Sequence, residues 1–244
     1  MVMTVGVDGC RAGWFWVSQT EGRLAQGVAP SITDLMAALP PDSRVFIDIP
    51  IGLLDGGSEG RQCDREARRL LGPGRGSSVF PAPYRPVLAA ASDDEAKRIS
   101  LAVSGRMLSK QAYYISPKIR EVDDYLAANP GRAGQLREVH PELAFWSLNA
   151  GRAMAHGKKT RAGFEERRDL LARYLPQAPA LIDQALTGHR RRDLARDDIL
   201  DALVNLVLAS LPQTRLQSLP AVPPRDSRGL RMEILSLRDN CEVL

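Results

Sequence analysis

The sequence has few cysteines and no long hydrophobic run, and each absence excludes a class of protein. Its three cysteines, Cys10, Cys63 and Cys241, are far apart and show neither metal-ligand spacing nor an even count. This excludes a disulfide-stapled secreted module and favours a reducing compartment. No apolar stretch approaches the ~20 residues that a membrane-spanning helix requires. The N-terminus lacks a basic region followed by a long apolar segment, so we expect no signal peptide, no membrane partner and a cytoplasmic location.

Lysine is also scarce, and arginine carries most of the basic charge. The 244 residues include 28 Arg and 5 Lys against 29 acidic residues, for a net charge of +4. The planar guanidinium matches phosphate oxygens bidentately, so the bias suits an anionic partner. A genome of high GC content would produce the same bias, and composition leaves both explanations open. With 44% hydrophobic residues, the chain can bury one good core and is neither disordered nor collagen-like.

The first fifty residues alternate between apolar segments and turn residues, as strands do. We predict strands at residues 2–7, 14–18, 24–28 and 44–49, with a helix between the last two that is capped by Ser31. The tight spacing of the first three strands favours antiparallel hairpins. A helix before the fourth strand implies a crossover to a parallel neighbour.

After the fourth strand, helical segments alternate with Gly- and Pro-rich loops. Residues 52–134 are predicted to form a mostly helical insertion, followed by a short strand at 136–139 and a final amphipathic helix at 197–211. The predicted fold class is α/β: a mixed sheet of three antiparallel strands and then parallel strands, flanked by helices, in a single domain over 1–244.

Two carboxylates stand where apolar strands end. Asp8 follows the first strand segment, and Asp48 lies within the fourth. If these strands are parallel neighbours, both acids point into one crevice, where like charges raise a pKa unless a cation lies between them. Mg²⁺ is a hard ion that carboxylates hold well. The alternatives are a turn-forming role for Asp8 before Gly9 and, for Asp48, a helix cap or an arginine pair.

Further acids follow in the second half of the chain. Glu138 and Glu142 compete for one role, and Glu142 has the simpler explanation that an acid in the first helical turn complements the helix dipole. Asp198 and Asp201 are three residues apart and share one face of the final helix. A metal would relieve their repulsion, and so would the helix dipole.

This ordered set of acids resembles that of the RNase H-like nuclease superfamily, which includes the Holliday-junction resolvases. The sequence is more similar still to a family of uncharacterised bacterial and archaeal proteins described as predicted RNase H-like nucleases. The residues that carry the resemblance are Gly6–Trp14, Ile47–Leu53, Arg61-x-Cys63-Asp64-x-x-Ala67-Arg68, Ser78–Phe80, Glu138–Glu142 and Asp197-Asp198-x-x-Asp201-Ala202.

The resemblance implies a nuclease that uses two Mg²⁺ or Mn²⁺ ions to hydrolyse phosphodiester bonds of DNA or RNA. Asp8 would bridge both ions, Asp48 or Glu138 would hold one, and Asp198 and Asp201 would lie at the other. The catalytic set is thus Asp8, Asp48, Glu138, Asp198 and Asp201, and the metal ligands are Asp8, Asp48, Glu138 and Asp201. The long insertion after the fourth strand departs from the resolvase pattern, and a two-fold homodimer would suit symmetric nicking.

Basic side chains supply candidate contacts to phosphate oxygens. The predicted substrate-binding residues are Arg11, Arg61, Arg68, Arg85 and Lys118. Ordinary solvated surface charge is the alternative for any single one of them. Lys158 and Lys159 lie in a polar loop, and the sequence leaves open whether they contact a nucleic-acid backbone.

Two other classes of protein fit part of the pattern. A nucleotide-binding phosphotransfer protein of the actin-like ATPase type shares this strand order, and Asp8-Gly9 before a glycine hairpin resembles its phosphate loop. That fold needs a second, duplicated half, and no second Asp-Gly hairpin follows. A non-catalytic nucleic-acid-binding protein is the third hypothesis.

Overall fold

The computed structural model describes residues 2–238 and contains seven strands and eight α-helices within them. The strands are β1 (Thr4–Cys10), β2 (Gly13–Thr20), β3 (Arg23–Ala29), β4 (Arg44–Ile47), β5 (Leu136–Glu138), β6 (Leu216–Leu219) and β7 (Ile234–Leu237). The helices are α1 (Ile32–Ala38), α2 (Gln62–Arg75), α3 (Asp93–Ser104), α4 (Lys110–Ala128), α5 (Pro141–Leu148), α6 (Arg161–Tyr174), α7 (Ala178–Gly188) and α8 (Arg196–Ser210). None of the described helices has the length and apolarity to cross a membrane. Cys241 lies outside the described residues.

Five strands form one mixed sheet in the order β3-β2-β1-β4-β5. β1 pairs antiparallel with β2, which pairs antiparallel with β3, while β1–β4 and β4–β5 are parallel. This confirms the predicted α/β class and the change from antiparallel to parallel pairing. β4 ends at Ile47, two residues earlier than predicted, because its neighbour β5 ends at Glu138, opposite Ile47. Asp48 therefore follows the strand.

The described chain divides into two compact units. The first comprises residues 2–48, 134–217 and 235–238, and it holds the five-stranded sheet with α1 and α5–α8. The second comprises residues 49–133 and 218–234, with α2–α4. The insertion predicted over 52–134 corresponds to most of the second unit, to which a later segment of the chain also belongs.

Helix α8 packs directly on β1, and a glycine makes this approach possible. A Cβ atom on Gly6 would lie 2.1 Å from the backbone oxygen of Ala202 and 2.2 Å from the backbone nitrogen of Leu206. No side chain fits in that space, since real Cβ contacts are longer than 3.0 Å. The bare backbone of β1 thus brings the acids of α8 close to those of the sheet.

The second unit is held by buried ion pairs as well as by apolar contacts. Arg85 pairs with Asp123 and Asp226, and the Asp226 carboxylate also accepts a hydrogen bond of 2.9 Å from the backbone of Leu53. A small apolar cluster that includes Tyr84, Val87 and Leu108 fills its interior.

Candidate active site

Asp8 and Asp48 lie side by side at one edge of the sheet. The parallel register of β1 and β4 pairs Val7 with Ile47, and the two acids are the next residues. β1 continues to Cys10, three residues beyond its predicted end, so Asp8 lies within the strand and pairs with Phe15 of β2. The backbone nitrogen of Asp48 continues the ladder by donating to the oxygen of Val7 at 3.2 Å. The sheet therefore brings together the two acids that are forty residues apart in the chain, as the sequence predicts.

Glu138 extends this edge by one strand. It is the last residue of β5 and pairs with Ile47, directly before Asp48. Its side chain is buried, and its charge is among the causes that raise the pKa of Asp48. Three neighbouring parallel strands thus each contribute one acid.

Helix α8, which packs on β1, adds Asp198 and Asp201 to this group of acids. Asp201 immediately precedes Ala202, the residue whose backbone contacts Gly6, and it is buried. Asp198 accepts a hydrogen bond of 2.9 Å from the backbone nitrogen of Ala195 at the helix start. Both acids raise the pKa of Asp8, which places the four aspartates within electrostatic range of one another.

Lys158 supplies positive charge to this cluster. Its Nζ atom donates to Oδ2 of Asp201 at 2.8 Å and lies 3.8 Å from Oδ2 of Asp197. Its charge lowers the pKa of Asp8, Asp48, Asp198 and Asp201. In return, chiefly Asp201 and then Asp8 and Asp48 raise the pKa of Lys158, so the ammonium stays charged.

One ammonium does not balance the acids. Burial, followed by repulsion from neighbouring acids, raises the pKa of Asp48 to about 8 and that of Asp8 well above its ordinary value. Burial is also the largest cause that raises the pKa of Asp201, and it raises that of Asp198 to about 6. Without a further cation, the cluster therefore retains protons that carboxylates in water have lost.

The donor set fits a hard divalent cation. Carboxylate oxygens are the ligands that Mg²⁺ and Mn²⁺ prefer, and a second positive charge would relieve the repulsion seen here. Within residues 2–238, however, no three His, Cys, Asp or Glu side chains already form a preformed ion site. In this arrangement the Lys158 ammonium occupies one carboxylate oxygen of Asp201.

The structure gives Glu138 and Glu142, which competed for one role in the sequence analysis, different surroundings. Glu142, in the first turn of α5, accepts hydrogen bonds from Nη2 of Arg167 at 3.0 Å on each carboxylate oxygen. The Arg167 side chain is fully buried and also donates to the backbone oxygens of His156 and Gly163. The charge of Glu142 is thus paired with Arg167 in the core, although it also raises the pKa of Asp201. Glu138 instead pairs with Ile47 in the sheet, directly before Asp48.

Most of the predicted substrate-binding residues lie in the second unit, and two of them are engaged there. Arg61 is buried, pairs with Asp64 and donates to the oxygens of Ile51 and Gly52. Arg85 binds Asp123 and Asp226. The other three predicted contacts are Arg68, which is exposed and donates to the Val79 oxygen, Lys118, which is partly buried in α4, and Arg11, which is exposed in the β1–β2 turn of the first unit. Their role in binding stays a prediction.

The sequence analysis did not identify Asn205 as a candidate site residue, and it left the role of Lys158 open. Asn205 is fully buried one turn after Asp201, and its Nδ2 atom donates to the oxygen of Val7 at 2.9 Å. It thereby ties α8 to the residue before Asp8. The available signal was a single polar residue among the apolar residues 202–209 of α8. The sequence offered no signal that Lys158 belongs to the site, because its acid partner Asp201 lies more than forty residues away.

Comparison with known proteins adds one assignment. No curated protein and no solved structure matches the chain. Residues 6–225 match the family described as "Protein of unknown function (DUF429)". This span includes every acid of the cluster and most of both units, so the protein belongs to the DUF429 family.

Proposed function

We propose that this protein is a metal-dependent nuclease that hydrolyses phosphodiester bonds in DNA or RNA. The observation that carries the proposal is the convergence of buried aspartates from β1, from the end of β4 and from α8, with pKa values raised by burial and by their proximity. A cluster of charges that costs stability is typical of a functional site. The strand order β3-β2-β1-β4-β5 supports it, because the RNase H-like resemblance implies the same order.

Each acid would hold a metal ion according to its position in the fold. Asp8 is flanked by Asp48 on the neighbouring strand and by Asp201 on the packed helix, which suits it to bridge two ions. Asp48 and Glu138 would hold one ion, and Asp198 and Asp201 the other. When bound, Mg²⁺ or Mn²⁺ supplies Lewis-acid stabilisation of the charge that develops on the phosphate oxygens.

Protein groups around the acids fix their geometry. The Gly9 amide donates to Oδ1 of Asp8 at 2.8 Å, and the Ala195 amide holds Asp198. Asn205 fixes the Val7 carbonyl next to Asp8. Lys158 holds Asp201 and can neutralise an incoming phosphate at the edge of the cluster. Together these contacts preorganise carboxylates that would otherwise repel one another.

The proposal is tested by cleavage assays on the full-length protein. Labelled branched, hybrid and single-stranded substrates are incubated with Mg²⁺, Mn²⁺ or EDTA. We expect scission of at least one substrate with metal, none with EDTA, and a loss of at least about 100-fold for Asp8→Asn, since a general acid–base or metal-holding carboxylate contributes at least that much. Asp42→Asn, which changes an exposed acid of the same unit, is the matched control.

Three results would overturn the proposal in different ways. If the wild type cuts no substrate, or if Asp8→Asn cuts equally well, the nuclease function is wrong. Release of phosphate from nucleotides without strand scission would support the actin-like phosphotransfer hypothesis. Binding of nucleic acid without any turnover would support a non-catalytic protein. The cytoplasmic location and the homodimer stay predictions.

A further inference from the structure

A cavity of about 300 Å³ in the first unit is lined by five basic side chains. They are Lys158, Lys159, Arg161, Arg191 and Arg196. Two chain segments contribute them: the loop before α6 with the first residue of that helix, and the loop before α8 with the first residue of that helix. In a chain with only five lysines, two of them line this one cavity.

Most of this positive charge is not neutralised by the protein. Lys158 pairs with Asp201 and, more distantly, with Asp197. Across the part of the chain that the structure describes, Lys159, Arg161, Arg191 and Arg196 form no salt bridge. Arg196 instead stacks over the Phe164 ring at 5.7 Å, which orients its guanidinium without consuming its charge. Asp197 is the only acid on the cavity wall among residues 2–238.

Two helices begin at the wall of the cavity. Thr160 caps α6 by accepting a hydrogen bond of 3.0 Å from the Gly163 amide, and α8 begins at Arg196 after Ala195. The amino ends of helices carry partial positive charge. Their orientation adds to the field of the side chains, so the cavity favours an anion more than a solvated surface patch would.

The cavity in the second unit has a different character. It measures about 500 Å³ and is also lined by arginines, including Arg61 and Arg65. Arg61 is paired with Asp64, however, and Arg65 with Glu59, both on the same wall. Two of its four arginines are thus neutralised on the wall itself, and only Arg68 and Arg106 add positive charge without an acid partner among residues 2–238. Its excess of positive charge is therefore smaller than that of the cavity in the first unit.

Lys158 connects the basic cavity to the acid cluster. The same side chain lines the cavity and donates to Asp201. A phosphate in the cavity and a phosphate at the acids would therefore lie on either side of one lysine. Phosphates recur at regular intervals along a nucleic-acid strand, so one strand can present a phosphate to each of two adjacent sites.

We propose that this cavity binds a phosphate of the nucleic-acid strand that flanks the scissile phosphate. The inference rests on the proposed function and refines it: the substrate is a strand that extends beyond the cleaved bond on the side of α6 and α8. Phosphate contacts of this kind fix the register of the strand on the protein and read no sequence. Arg161 and Arg191 are its main contacts, because both are exposed and neither is paired within the described residues.

The test measures binding without cleavage. Fluorescence anisotropy of a fluorescein-labelled single-stranded oligonucleotide is recorded in EDTA for the wild type, Arg161→Ala, Arg191→Ala and the double variant. Arg173→Ala is the matched control, because it removes an exposed arginine from the opposite end of α6. Circular dichroism melting confirms that each variant is folded.

We expect each cavity variant to bind about tenfold more weakly, as removal of one charged hydrogen bond predicts. The slope of log affinity against log salt should also decrease by about 1 for each arginine that no longer binds a phosphate. The control should keep the wild-type affinity and slope. If the wild type does not bind, or if the cavity variants match the control, the proposal is wrong.

Cleavage is measured separately in Mn²⁺, so that the two proposals can fail independently. A wild type that binds through the cavity but does not cut would overturn the nuclease function and keep the phosphate site. A wild type that cuts while the cavity variants bind normally would keep the nuclease and overturn the site.

Discussion

The Nζ atom of Lys158 donates a hydrogen bond of 2.8 Å to Oδ2 of Asp201, joining a loop to a helix 43 residues further along the chain. The contact links two regions of opposite charge, the acid cluster at the sheet edge and the basic cavity beside it. In the metal-free protein this lysine supplies the positive charge that a cation would bring to Asp201. On the proposed function, we expect changes at Lys158 to alter stability, metal binding and substrate binding together.

Replacing Lys158 by Met should destabilise the metal-free protein. Asp201 is buried and would lose its partner, although water can reach the site because the Lys158 side chain is 40% exposed. We expect a loss of about 1–2 kcal/mol in the free energy of unfolding, measured by urea titration in EDTA. Lys159→Met removes the neighbouring lysine, which contacts no acid of the described chain, and should change little.

Added Mn²⁺ should restore more stability to Lys158→Met than to the wild type. The ion binds carboxylates without competing with an ammonium in the variant, so its apparent affinity rises. Calorimetric titration with Mn²⁺ measures the affinity directly. Equal affinities for both proteins would mean that the lysine and the ion do not share the site.

The metal-free protein should become less stable as the pH rises from about 4 to about 8. Burial and neighbouring acids raise the pKa of Asp48 from 3.8 to about 8 in the folded protein. The folded state therefore holds a proton that the unfolded chain releases, and its stability is lost as the pH passes from the unfolded pKa towards the folded one. Urea midpoints in EDTA across this range measure the slope.

Two changes should alter this slope. Asp48→Asn removes one titrating group and should make the slope shallower, while Asp8, Asp198 and Asp201, whose pKa values are also raised, keep part of it. Saturating Mg²⁺ favours the deprotonated ligands and should reverse the trend. Asp42→Asn, at an exposed site, should keep the wild-type slope. A metal-free protein that becomes more stable over the same range would contradict the placement of Asp48 in a buried acid cluster.

Replacing Glu142 by Gln should mainly lower stability, whereas replacing Glu138 by Gln should mainly lower the affinity for metal. Glu142→Gln leaves the fully buried Arg167 guanidinium without its carboxylate and should cost about 3–5 kcal/mol in unfolding free energy. Glu138→Gln should instead lower the Mn²⁺ affinity by at least about tenfold, as loss of a carboxylate near a metal does. Urea titration and calorimetry of both variants check this. The reverse pattern would assign Glu142 to the site.

Gly6→Ala should disrupt the packing of α8 on β1. The added Cβ would lie 2.1 Å from the Ala202 oxygen, and backbone atoms on both elements prevent a local adjustment. We expect a loss of at least about 3 kcal/mol, or failure to fold, measured by thermal melting and by yield of native protein. Gly134→Ala is the control, since its Cβ would meet open space. Similar stabilities for both variants would show that α8 does not lie this close to β1.

Several features of the fold could be predicted because their signals are local. Ser31 caps α1 by accepting from the Asp34 amide at 3.1 Å, and the apolar period predicted α8 to within one residue at each end. The strand directions followed from hairpin spacing and from the single helix before β4. The sequence analysis predicted neither α7 (Ala178–Gly188) nor β6 (Leu216–Leu219).

The candidate site could be predicted only in part. The neighbouring positions of Asp8 and Asp48 followed from the parallel pairing of their strands. The pairing of Glu142 with Arg167, 25 residues away, left no pattern in the sequence. Arg61 and Asp64 have the i,i+3 spacing of a helical ion pair, which was the available signal for their contact. Arg61 looked like a phosphate contact in the sequence, yet its guanidinium is engaged by a carboxylate and two carbonyl oxygens.

The sequence by itself determined the α/β class, the change from antiparallel to parallel strands and the presence of acids in or directly after the strands, because hydrophobic period, turn residues and helix caps act between near neighbours in the chain. Only the tertiary structure decided which charges meet: that Lys158 contacts Asp201, that Arg167 pairs with Glu142, and that arginines with no acid partner among residues 2–238 line a cavity next to the acids. Charged side chains are long and find partners across the fold, so their pairing depends on the packing of whole elements and not on the residues beside them.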